Sequence, residues 1–163
     1  MRFSTKLYNS KFTNIENIYS KRKNLKINPS YFTGPVKIKE ISSVIKSNEQ
    51  KVYYVTFIGA KTKLHYHDGG QILIVTKGQG NLTMYKKIGK GGKKNSIKKT
   101  QEVKLRPGDV TYIPAKILHA HGSIGRKTVF SHIALNSYPA KNREPKTMWF
   151  ESDFESEITS IIR

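Results

Sequence analysis

The chain has 163 residues, 36% of them hydrophobic and 10% aromatic, which suits one domain with a packed core and excludes full disorder. There is no cysteine, so disulfides, thiolate ligands and cysteine nucleophiles are excluded together. The formal charge of +19 raises the question of nucleic acid. The charge, however, is concentrated in Lys21 to Lys26 and in the glycine-punctuated run from Lys86 to Lys104, which reads as a solvated hairpin. No RRM, zinc-finger or helix-turn-helix pattern accompanies it, so nucleic-acid binding is not expected. No apolar run is long enough to span a bilayer. The opening "MRFSTKLYNSKF" lacks the apolar core of a signal peptide, which leaves the cytoplasm as the default expectation.

Residues 1–30 are polar and basic, with little periodicity, and read as an N-terminal arm. A turn at Thr33-Gly34-Pro35 leads into a strand carrying Val36, Ile38 and Ile41. Lys51 to Gly59, "KVYYVTFIG", is rich in β-branched and aromatic residues and ends at glycine, as a strand should. "KLHYH", "QILIVTKG", "NLTMYKK", "QEVKLRPGDVTYIP" and "KTVFSHIALN" follow in the same style, separated by turn residues. Short strands with regular punctuation over 31–150 predict an all-β sandwich or barrel. The last segment, 151–163, is expected to be a short α-helix. Ser152 and Glu155 fit a capping box, and Phe154, Ile158 and Ile161 or Ile162 make a stripe at helical spacing. No second domain is visible.

All five histidines fall in or beside predicted strands: His65, His67, His119, His121 and His132. In a strand, residues i and i+2 share a face, so His65 and His67 point one way, and His119 and His121 do the same. Two such pairs on facing strands can converge inside a barrel. Neutral imidazole is the commonest metal ligand, and two i, i+2 pairs beside a glycine turn and an amide point to a metal centre.

The spacing of these residues resembles the cupins. Gly59, five residues, His65, one residue, His67, three residues, Gln71, six residues and Gly78 match the first cupin motif, with glutamine in place of its glutamate. Gly108, Pro114 and His119 match the second, with Lys116 at the motif glycine and Ser123 at its asparagine. The resemblance implies a jelly-roll β-barrel with His65, His67, His119 and Gln71 as metal ligands. "HYHDGGQ", "HAHG" and "SHIAL" narrow the likeness to a subgroup that includes manganese-dependent bacterial hydroxynitrile lyases. That subgroup implies one divalent ion per chain, manganese first, with iron, nickel or zinc also compatible with such ligands. By the same likeness, His121 and His132 are candidate catalytic histidines and Thr62 is an active-site residue.

A glutamine ligand is neutral, so three histidines and Gln71 would leave the whole 2+ charge of the ion available. This favours Lewis-acid chemistry on a small hydroxy or carbonyl compound over stabilising oxidised iron. His121 and His132 are the base candidates, and His132 could equally support a ligand through a hydrogen bond. Val52, Tyr54 and Phe130 are expected to line the substrate pocket. An iron-dependent dioxygenase and a non-enzymatic small-ligand-binding cupin are the alternatives. Family likeness further implies a homodimer, with Tyr31 to Ile41 as the exchanged segment.

Overall fold

Strand-forming runs with period-2 alternation build almost all of the molecule. A computed structural model describes residues 14–88, 94–150 and 157–162. In chain order the strands are β1 (Val36–Glu40), β2 (Gln50–Ile58), β3 (His65–His67), β4 (Gln71–Gly78), β5 (Gly80–Ile88) and β6 (Lys94–Leu105). They continue as β7 (Val110–Ile113), β8 (Leu118–Ser123), β9 (Val129–Ser137), β10 (Thr147–Trp149) and β11 (Glu157–Ile162). A single helical turn, α1 (Ser42–Ile45), links β1 to β2.

Two sheets face each other. One has the order β1-β2-β9-β4-β7 and the other β10-β3-β8-β5-β6-β11. The alternation of each strand decides which residues enter the space between them. On β4, Gln71, Leu73 and Val75 are buried while Ile72, Ile74 and Thr76 are only half-buried. On β9, Phe130, His132, Ala134 and Asn136 turn inward. The main core gathers Phe32, Val55, Phe57, Leu73, Val75, Leu82, Leu105, Ile113 and Phe130. Part of it, Phe32, Val55 and Phe57, also borders the cavity that the polar inward residues line.

The two glycines of the first motif sit where only glycine fits. Gly59 and Gly78 have φ of 63° and 73°. A Cβ at either would stand 1.9 or 1.8 Å from a backbone carbonyl oxygen, of Arg126 and Val129 respectively.

A second apolar cluster lies on the outside of the first sheet: Ile41, Val52 and Tyr54, with Ile18, Ile45, Ile133 and Leu135 packed on it. The described part of the N-terminal arm forms its cover. Tyr19 meets Tyr54 edge to face at 5.7 Å, the Lys39 ammonium donates to the carbonyls of Ile18 and Ser20, and Leu25 N–H donates to the Ile38 carbonyl.

The expected C-terminal helix is corrected. Residues 157–162 run as strand β11, parallel to β6 with Ile161 opposite Ile97. Three isoleucines and a threonine in six residues favour an extended chain, and β6 has an open edge to receive it. Ser152 and Glu155 of the expected cap, and Phe154 of the expected stripe, lie outside the described residues. No helix among the described residues is long and apolar enough to cross a membrane.

Candidate metal centre

Strands β3 and β8 carry the two His-x-His pairs and are antiparallel neighbours, with His65 directly opposite His119. The i, i+2 rule then places all four imidazoles on one face of the pair, toward the interior. Their rings stand close together: 4.2 Å between the centroids of His65 and His119, 5.0 Å for His65 and His67, and 5.4 Å for His67 and His119. His65, His119 and His121 each present a ring nitrogen within 4.8 Å of the others, a set that takes in His121 and not the expected ligand His67. His132 enters from β9 in the facing sheet, 5.0 Å from His121. Gln71 enters from the start of β4, beside its β9 partner Asn136.

Hydrogen bonds fix how these groups point. His65 Nδ1 lies 2.9 Å from the Lys63 carbonyl, and His119 Nδ1 lies 2.8 Å from the Ile117 carbonyl. A carbonyl only accepts, so both Nδ1 atoms carry the hydrogen and both Nε2 atoms keep a lone pair. His67 Nδ1 lies 3.0 Å from Thr147 Oγ1. The Gln71 amide nitrogen donates to Asn136 Oδ1 at 2.8 Å, which leaves its oxygen as the free end. His67 Nε2, His119 Nε2 and Gln71 Oε1 are buried without a hydrogen-bond partner in the protein, as are His121 Nδ1 and both ring nitrogens of His132. Orphaned buried polar atoms at this density are costly unless something else binds them. Neutral nitrogen and amide oxygen donors with outward anchors are what a divalent transition metal requires.

The electrostatics agree with that requirement. Burial pushes the His67 imidazole down to about 3, with the neighbouring His119 adding to the fall and Gln71 opposing it. Burial lowers His119 and His132 to about 4. His65 and His121 lie well below the usual imidazole value, first through burial and then through the surrounding histidines. All five rings are therefore neutral near pH 7.

The centre opens into a cavity of about 220 Å³. Its polar floor is His65, His67, Gln71, His121, His132 and Asn136. Its walls are mostly apolar, with Leu25, Phe32, Ile38, Val55, Phe57 and Trp149 among them. Thr62 lines it and also secures β8. Its Oγ1 accepts from His121 N–H at 3.0 Å, and its own N–H donates to the His121 carbonyl at 2.9 Å.

The expected pocket residues need correction. Val52 and Tyr54 face the outer cluster under the arm, and it is Tyr53, Val55 and Phe57 that face the cavity. Strand β2 is covered on both sides, so its sequence carries no polar face to set the phase, and a one-residue shift reverses every side chain. Phe130 is fully buried behind the cavity, 5.5 Å from the His132 ring and stacked on Phe57 at 6.2 Å. The residues of the site that were not anticipated include Tyr53, Asn136, Thr147 and Trp149. Asn136 was within reach, because counting by twos from His132 through Ala134 arrives at it.

A protein-family model described as Cupin matches residues 49–159. No curated protein matches the chain. Among solved structures, a cupin-like protein from Thermotoga maritima is similar, with a TM-score of 0.57, 29% identity, and coverage of 86% of this chain and 94% of that one. A deletion mutant of Bacillus subtilis oxalate decarboxylase has a TM-score of 0.55 at 19% identity, over 80% of this chain and 30% of that one. A further structure of the decarboxylase, concerned with its Mn(II) centres, gives 0.55 at 17% identity over the same shares. This chain thus spans under a third of the decarboxylase, and the likeness to that enzyme is one of fold.

Proposed function

The chain belongs to the cupin family, and from that premise we propose that it is a metal-dependent lyase of the hydroxynitrile-lyase type, acting on a small hydroxy or carbonyl compound. One observation carries the reading: the cavity holds four histidines, Gln71 and Asn136 among its lining residues and no carboxylate. An ion held by His65, His67, His119 and Gln71 would keep its full 2+ charge and polarise a hydroxyl or carbonyl oxygen. Manganese is the first candidate, as in the decarboxylase centres, with iron, nickel or zinc behind it.

In this reading His121 and His132 do the proton work. Their rings are 5.0 Å apart, both are neutral, and each keeps an unpartnered nitrogen. A base of this kind takes the hydroxyl proton of a cyanohydrin as its carbon–carbon bond breaks. The bond's electron pair leaves with cyanide, the carbonyl compound remains, and the proton returns to cyanide as hydrogen cyanide. Burial disfavours imidazolium here, so the proton is held briefly. Phe57 packs against both rings, 5.6 Å from His121 and 5.8 Å from His132. The Tyr53 phenol at the cavity, held protonated by partial burial, offers a hydrogen bond to the substrate.

Mandelonitrile cleavage by manganese-loaded protein tests the proposal. A His121→Ala, His132→Ala double variant should be slower by about 100-fold or more. Equal rates would overturn the lyase reading. Oxygen consumption with iron(II) in place of cleavage would favour a dioxygenase, and bound metal with neither activity would favour a binding protein. The homodimer belongs to the same proposal. Within one chain β1 already pairs with β2 from Val36↔Phe57 to Glu40↔Tyr53, so an exchange would replace this pairing with its equivalent from the second copy. Light scattering at the mass of a single chain would exclude it.

A further inference from the structure

The three histidines proposed as ligands are not anchored in the same way. His65 and His119 each use the backbone carbonyl two residues earlier, of Lys63 and Ile117. No side-chain substitution elsewhere removes those acceptors. His67 instead relies on a side chain 80 positions away, Thr147 Oγ1 at 3.0 Å. Thr147 is the cross-strand partner of His67 in the β10–β3 pair.

The placement of β10 is itself secured from the histidine motif. Asp68 N–H donates to the Lys146 carbonyl at 3.1 Å, and Lys146 N–H donates to Asp68 Oδ1 at 2.8 Å. This reciprocal pair fixes the register of β10 one residue before Thr147. Two residues later Trp149 lies over His65 with ring centroids 4.5 Å apart and stacks on Tyr31 at 4.4 Å. The strand therefore touches both histidines of β3, one by a hydrogen bond and one by an aromatic face.

We propose that Thr147 is a positioning residue: it accepts the Nδ1 hydrogen of His67 and so holds the Nε2 lone pair toward the cavity. The opposite arrangement, with the hydroxyl donating to Nδ1, would put a hydrogen on Nε2 in place of the lone pair that His65 and His119 both keep there. A ligand nitrogen needs its lone pair, so the tautomer set by Thr147 is the one that can bind a metal. The inference rests on the metal-site reading above, but the tautomer can be measured without metal.

The test uses the full chain with Thr147→Val, nearly the same shape without the hydroxyl, and Thr147→Ser, which restores it. Long-range 1H–15N correlation on metal-free protein should show wild-type His67 as the Nδ1–H tautomer. Thr147→Val should populate Nε2–H, and Thr147→Ser should return it to the wild-type form. Calorimetric titration with Mn2+ should show about 10- to 100-fold weaker binding for Thr147→Val and near-wild-type binding for Thr147→Ser. An unchanged tautomer in Thr147→Val overturns the assignment, whatever the metal result. If wild type binds no Mn2+ yet the tautomers follow this pattern, Thr147 keeps its role and the metal-site reading fails. If wild type binds Mn2+ and Thr147→Val binds it equally well, the role in metal binding is overturned.

Discussion

Lys116 has a positive φ of 63°, a backbone region that a residue with a side chain enters at a cost. Its position is that of the glycine in the second motif, so the departure visible in the sequence has a physical consequence. The turn is needed because Lys116 N–H donates to the His67 carbonyl at 2.7 Å, tying the approach to β8 to the histidine strand. Lys116→Gly should relieve the strain and give back part of the gain as chain entropy, for a net stabilisation of roughly 0.5–1 kcal/mol. A melting temperature higher by about 1–4 °C would confirm it, and a decrease would show that the lysine side chain makes up for the strain. The other departure has no such consequence. Ser123 is buried, and its hydroxyl donates to the Thr128 carbonyl at 3.1 Å. The histidines themselves were legible because their spacing alone, two i, i+2 pairs on strands, fixes the shared face. What orients them was not. Lys63 and Ile117 act through backbone carbonyls, which any residue type would provide, and Thr147 is distant in sequence.

Among elements, β2 separates what a strand's sequence reveals from what it hides. The strand itself was evident from "KVYYVTFIG". Its phase was not, because the arm covers the outer face and the second sheet covers the inner one, so both sets of side chains are apolar. The structure predicts opposite effects for two adjacent tyrosines. Tyr54 is buried against Ile18 and Tyr19 on the outer face. Tyr54→Ala should cost about 2–4 kcal/mol in urea unfolding and leave Mn2+ affinity within a factor of two or so. Tyr53 faces the cavity, and Tyr53→Phe should alter cleavage kinetics with a stability change under about 1 kcal/mol. Affinity loss in Tyr54→Ala with no loss of stability would reverse the assignment of faces. The C-terminal segment was misread for a related reason. A pattern in which isoleucines fall three or four apart fits a helix, but a parallel partner strand is invisible to local periodicity. The open edge of β6 supplies that partner.

At the scale of the molecule, an all-β sandwich was legible because turn residues and short alternating runs repeat along the chain, and the glycines of the first motif mark two points where the backbone must turn through positive φ. The centre built between the sheets then links folding to protons and to metal. In the unfolded chain histidines titrate near 6.5. In the folded protein His67 is lowered to about 3, and His119 and His132 to about 4. Between pH 6.5 and about 4 the unfolded chain thus binds more protons than the folded one, so stability must rise with pH across that window and be lost as the pH falls through it. Above pH 6.5 neither state holds these protons and the contribution is fully present. Each such histidine adds a slope of up to about 1.4 kcal/mol per pH unit. Urea unfolding of metal-free protein at pH 7.5, 6 and 5 should show the decline, and His132→Leu should flatten it by about one histidine's share. A flat profile in the wild type would mean that the rings are hydrated in solution. A bound divalent ion stabilises the folded state further, by about 2.7 kcal/mol when its free concentration is one hundred times Kd. Protons and metal compete for the same lone pairs, so the metal-loaded protein should lose stability more steeply on acidification than the metal-free one. EDTA should abolish the difference between the two curves at pH 7.5, and coincident curves before chelation would show that no ion occupies the histidine centre.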